Sequence, residues 1–282
     1  MKAVQAFVFG NIYISICAVV MVTYTVTTFN LYPGLYFYPF IFFATLTSYS
    51  FHWYLTPDVH SNSERYIWVN NNKKLLLVLL IISTACSLIL IYFLRDHILI
   101  ISIASVFTFF YSASKIPFIP FTYLKKIIVG KTVYLAIVWT YVTVVLPLLL
   151  NGGQWENKAT LFSLNRFFLI YCICLLFDYR DKDEDREQNI RNIVGMISLR
   201  TLKIFYYVCL TAFFIFSALL SGDYFNLWQI TILILPGLFL LISFEGSIKT
   251  KSDYWYYFYL DGLMMLSGIA ALFYTIYSTL QF

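Results

Sequence analysis

What limits this chain most is the repetition of apolar stretches long enough to cross a bilayer. The hydrocarbon core is about 30 Å thick and a helix rises about 1.5 Å per residue, so about 20 apolar residues make one span. Runs of that kind lie near 3–29, 34–56, 74–94, 96–114, 129–150, 160–178, 201–221, 224–243 and 254–280. The residues are 61% hydrophobic and only 12% charged, with a mean hydropathy of +0.77. A soluble domain carries about 25% charged residues, so a sizeable soluble domain has no place here. The chain reads as all-α, a polytopic membrane bundle of about nine transmembrane helices, with residues 1–282 as a single domain. Tight junctions at 95–97 and 221–223 predict antiparallel neighbours. The run 3–29 is too long for a signal-peptide core and shows no small-residue cleavage site, so it is expected to remain as the first span.

The basic residues orient the bundle. With the N-terminus in the cytoplasm, sixteen of the nineteen Lys and Arg residues fall in cytoplasmic segments, and only Arg95, Lys158 and Arg166 fall outside. Positive charge stays inside, which predicts a multi-pass protein of the cell membrane with a cytoplasmic N-terminus and an extracytoplasmic C-terminus. The net charge of +5 is therefore a topology signal. The basic residues are spread over five segments without an aromatic–basic module, so no nucleic-acid partner is expected. The five cysteines sit in apolar runs without zinc-like spacing and read as small buried residues.

Against this apolar background, six of the fourteen acidic residues fall within positions 178–187. Asp178, Asp181 and Asp185 stand at i, i+3 and i+7, which is one face of a helix. Three carboxylates on one face repel unless a cation lies between them. Oxygen-only ligands suit a hard ion such as Mg2+, which completes its shell with phosphate oxygens and water. The alternative is a solvated charged loop between two spans.

The stretch D-Y-R-D-x-x-x-D-R-x-x-N-I-R-N resembles the second aspartate-rich motif of the UbiA superfamily of intramembrane prenyltransferases. Asp178, Arg180, Asp181, Asp185 and Arg186 fall on its characteristic positions, with Asn189 and Asn192 at the usual glycine and threonine. The resemblance implies nine spans and Mg2+ held by Asp178, Asp181 and Asp185. That ion would bridge to a prenyl diphosphate, whose allylic cation attacks a membrane-soluble acceptor, usually aromatic or quinone-type. Arg180 and Arg186 would take part in substrate binding. Tyr111 and Lys115 match the family's Y-x-x-x-K element, and Lys131 follows Lys125 and Lys126 into the next span. Lysines there would neutralise a leaving diphosphate; they also mark cytoplasmic helix ends.

The family's first acidic motif is degenerate. In its region only Asp58 and Glu64 are acidic, while His52 stands where an inward ligand is expected or simply caps a helix end. Three polar residues lie within spans. Asn11 is a further substrate-binding candidate, and Arg166 can snorkel to the headgroups. Asp261 is an intramembrane carboxylate and so a functional candidate, or else a partner for a lysine across the bundle. Aromatic residues make up 21% of the chain, enough to line a cavity that shields a carbocation. The expectation is a Mg2+-dependent prenyltransferase. The rivals are a UbiA-type terpene cyclase, a non-catalytic lipid- or diphosphate-binding protein and, more remotely, a transporter.

Overall fold

The computed structural model describes residues 2–56, 63–113, 115, 130–152, 155–187 and 193–280. Asp58, Lys125, Lys126, Asn189 and Asn192 lie outside the described residues.

The described residues are almost entirely helical. Helices α1 (Lys2–Phe9) and α2 (Ile12–Thr28) form a bent pair, turned by 52° at their junction. Asn11 makes the bend: its φ of 67° is left-handed, a conformation that Asn tolerates better than most residues. Next come α3 (Phe37–Tyr54), the short α4 (Glu64–Asn71), α5 (Lys73–Phe93) and α6 (Ile98–Ala113), the last two joined by a 3-10 turn at Arg95–His97. Helix α7 (Lys131–Leu150) passes through a π-helical turn at Tyr141–Val145. Helices α8 (Asn157–Glu187), α9 (Leu199–Leu219), α10 (Leu227–Lys249) and α11 (Trp255–Tyr277) complete the bundle. A capping box at Asn226 and Gln229 starts α10, and Ser198 caps α9.

Among the described residues seven helices are long and apolar enough to cross a membrane, eight with the bent α1–α2 pair. The remaining expected span, α3, has 18 residues and is less apolar. Its polar side chains are used inside the bundle. Thr47 donates to Ser83 Oγ on α5 at 2.9 Å, and Ser50 lies 3.5 Å from the Asn11 amide. The protein is an integral, multi-pass, all-helical membrane protein.

One boundary differs from expectation. The span placed at 160–178 is part of a 31-residue helix that continues to Glu187. At about 1.5 Å per residue it is longer than the bilayer core, so its charged last turns project beyond the bilayer. The acidic stretch through Glu187 is therefore helix, and the charged-loop alternative does not hold for it.

The core runs through the centre of the bundle. Buried Cys17, Ala18 and Met21 of α2 belong to one continuous core with Ile170, Cys172 and Ile173 of α8 and with Tyr206, Leu210 and Phe213 of α9. A second, smaller cluster of Phe9, Trp53, Trp68, Val69, Leu76 and Tyr257 sits beneath the mouth described next.

Candidate functional site

A cavity of about 760 Å³ opens among α3, α6, α7, α8 and α11. That volume lies within the range of about 300–1,000 Å³ that encloses one small-molecule ligand. Each wall is one helical stripe. Helix α3 contributes Ile41, Ala44, Thr45, Ser48, Tyr49 and His52; α7 contributes Thr132, Leu135, Val138, Trp139, Val142 and Leu146. Helix α8 contributes Ile170, Ile173, Cys174 and Phe177, then Asp178, Asp181 and Asp185. Spacings of three and four residues keep each set on one helix face. The three carboxylates thus stand at the mouth, on the same stripe as the apolar inner wall.

These carboxylates do not share one environment. Asp178 is 8% exposed and accepts a hydrogen bond from the Thr132 hydroxyl. Asp181 accepts from Arg180 Nε at 2.6 Å, and Asp185 is 7% exposed. Asp183, between them in sequence, faces outward and meets Lys251 at 3.5 Å. Among the described residues no three His, Cys, Asp or Glu side chains converge as a ready-made metal group.

The opposite rim carries cations. Lys115 Nζ donates to the Thr56 hydroxyl at 2.5 Å and lies 5.5 Å from the Trp53 ring. Burial, and then the Lys131 ammonium, hold the Lys115 pKa well below its ordinary value. Lys131 starts α7 on the same cavity. His52 stacks on Tyr111 with ring centroids 4.9 Å apart, and its Nδ1 is 3.3 Å from Ser112 Oγ. The cavity therefore gathers His52, Tyr111, Lys115, Lys131, Asp178, Asp181, Asp185 and Asp261.

Three expected site residues are not among its walls. Arg186 is exposed. Arg180 is taken up by other side chains. Besides Asp181 it holds Tyr257 Oη at 2.5 Å and Asp253 at 3.4 Å, and its guanidinium lies over the rings of Tyr256 and Tyr257. Asn11 is fully buried and accepts from Arg65 Nη2 at 2.7 Å.

Arg65 also lines the cavity, with no motif in the sequence to mark it. It is 2% exposed and lies flat between Trp53 and Tyr257, 4.1 and 3.8 Å from their centroids. Its Nε has no hydrogen-bond partner among the described residues. Burial pushes its pKa down from the ordinary value, although a guanidinium stays protonated at any physiological pH. Asp253 ties the assembly together: Oδ2 accepts from the Arg65 backbone N–H and from Ser63, while Oδ1 faces Arg180. In sequence Arg65 is one more cytoplasmic cation. Only the approach of Tyr257, far along the chain, marks it out.

The architecture is thus that of a membrane helical bundle around an apolar cavity with an acidic and a basic rim. No family model matches the sequence, and no curated protein does. The fold has a counterpart in the solved structure of a digeranylgeranylglyceryl phosphate synthase. The two align with a TM-score of 0.55 at 15% identity, over 96% of this chain and 97% of the other. The likeness is one of fold and extends from end to end.

Proposed function

We propose that this protein is a Mg2+-dependent intramembrane prenyltransferase, moving an isoprenyl group from a prenyl diphosphate to a lipophilic acceptor in the cavity. The observation that carries this is the single stripe on α8, apolar from Ile170 to Phe177 inside the cavity and acidic from Asp178 to Asp185 at its mouth. A prenyl diphosphate is divided in the same way, into a hydrocarbon chain and an anionic head. The counterpart fold belongs to a prenyltransferase, which supports the same reading.

The donor set suits Mg2+. Asp178, Asp181 and Asp185 offer only oxygens, and they form no closed cage. Mg2+ retains water and commonly binds through one or two carboxylates together with substrate phosphates. When bound it would supply electrostatic stabilisation of the leaving diphosphate. The chain's own groups do the rest. Thr132 holds one oxygen of Asp178, and Arg180 fixes Asp181. Lys115 and Lys131 bring positive charge to the departing diphosphate. The enclosed inner cavity keeps water from the allylic cation, and the faces of Tyr49, Trp139 and Tyr257 line its path. With a cytoplasmic N-terminus, the mouth opens to the cytoplasm.

The test is product analysis of the purified protein in detergent with farnesyl or geranylgeranyl diphosphate, Mg2+ and a membrane-lipid extract. A prenylated acceptor is expected. A cyclised hydrocarbon would make the protein a UbiA-type terpene cyclase. Binding without turnover would make it a lipid- or diphosphate-binding protein.

A further inference from the structure

One titratable group of the cavity has no task in this scheme. Asp261 is 8% exposed, lines the cavity and lies within the span Trp255–Tyr277. Among the described residues it forms no ion pair and accepts no hydrogen bond, and no described lysine pairs with it. Arg65 and Arg180 are the cations near enough to act on it, and both are engaged. Arg65 is clamped between two rings and bonded to Asn11; Arg180 is shared among Asp181, Asp253 and Tyr257. An ionised carboxylate offers acceptors only, and a buried one without donors is unfavourable.

The helix is shaped around this residue. Its backbone is π-helical over Trp255–Leu260 and returns to α-helix at Asp261. Such turns re-aim a helix face and recur at functional sites. Here Tyr257 and Asp261 both line the cavity, while Trp255 and Tyr256 turn to Ser247.

We propose that Asp261 is a catalytic residue on the acceptor side, accepting a hydrogen bond from a hydroxyl of the lipophilic acceptor and taking that proton in the transfer step. This rests on the prenyl-transfer reading above. The bond between isoprenyl C1 and the diphosphate oxygen breaks, and its electron pair leaves with the diphosphate. The acceptor oxygen forms the new bond to C1, and its proton passes to the Asp261 carboxylate. No oxidant or reductant is required. The acceptor class narrows accordingly. An alcohol or phenol brings the donor that Asp261 lacks, whereas a quinone presents only carbonyl oxygens and brings none.

The experiment compares 4-octylphenol with its methyl ether, titrated calorimetrically into the purified full chain in detergent. The two probes match in shape and differ in one hydrogen-bond donor. The parent protein is expected to bind the phenol at least tenfold more tightly. Asp261→Asn should abolish that preference, and Asp261→Glu should retain part of it. Equal affinity for the two probes in the parent overturns the proposal without recourse to any variant, and so does a preference that survives Asp261→Asn. Farnesyl diphosphate with Mg2+ is titrated into the same parent sample. If it fails to bind, the prenyl-transfer reading fails, while the phenol–ether comparison still decides the hydrogen bond to Asp261.

Discussion

Replacing Asp181 with Asn removes one charge from the acidic rim while keeping side-chain volume and one oxygen acceptor. In the complex, the loss is that of a carboxylate beside a divalent ion. Two unit charges 4 Å apart attract by about 4 kcal/mol at an effective dielectric of 20, and a divalent ion doubles that. Water and the amide oxygen return most of it. The net expectation is a loss of at least about tenfold in Mg2+-dependent affinity for a prenyl diphosphate, roughly 1.4 kcal/mol. The folded state loses little. The Asp181 side chain is one-third exposed, so its pair with Arg180 contributes about 1 kcal/mol at most. Arg180 also keeps Tyr257 and Asp253. Asp183→Asn is the control, because the Asp183 side chain is 64% exposed and, among the described residues, meets the distal Lys251. The assay is calorimetric titration or thermal shift with farnesyl diphosphate, with and without Mg2+. Equal effects at 181 and 183, or no Mg2+-dependent binding in the parent, would refute the reasoning.

Lys115 makes binding pH-dependent: its pKa in the free protein is lowered, and a bound diphosphate raises it again. Affinity is therefore full below the free-protein pKa and falls as pH rises toward that of the complex; calorimetry in buffers of different protonation enthalpy should show proton uptake that Lys115→Met removes. Arg65→Lys keeps the charge but loses the flat contact with Trp53 and Tyr257, so thermal unfolding should register a loss of about 1–2 kcal/mol. Gly237→Ala would drive a methyl group into the buried Phe213 ring and should destabilise by about 1–3 kcal/mol, seen as a lower melting temperature. A reporter fused after Phe282 should be extracytoplasmic and one inserted near Asn71 cytoplasmic; both on one side would contradict an odd number of spans.

Bilayer thickness made most of the bundle legible, because a required length of apolar residues is a strong constraint on sequence. Where the pattern failed, other forces had taken over. The end of α8 was hidden because a charge run resembles a loop, although carboxylates at helical spacing are compatible with continued helix. Helix α3 is diluted by Thr47 and Ser50, which serve helix–helix hydrogen bonds, and by Thr45, Ser48 and His52, which face the cavity. The acidic stripe was readable from spacing alone. The neighbours that tie down Asp178 and Asp181 were only partly so. Arg180 is adjacent in sequence, but Thr132 reaches Asp178 from another helix. Arg65 was unreadable because its burial is created by residues brought together only in the folded bundle. Asn11 stood out as a polar residue in a span, yet its partner is that same hidden arginine.

The charges on the cavity wall bear on how its ligands must arrive. Arg65, Lys73, Lys115 and Lys131 line the cavity together with Asp178, Asp181, Asp185 and Asp261, so the formal charges cancel when all eight groups are ionised. A prenyl diphosphate brings about three negative charges into this partly desolvated mouth and, entering alone, leaves them uncompensated. A divalent cation entering alone leaves an excess of the opposite sign. Together they would nearly cancel, with Asp178, Asp181 and Asp185 as the groups to hold the cation and Lys115 and Lys131 as those to offset the diphosphate. Each ligand therefore favours the other, and linkage requires the factor to be the same in both directions. The hydrogen bonds of Thr132 to Asp178 and of Arg180 to Asp181 would hold those carboxylates in place for such joint entry.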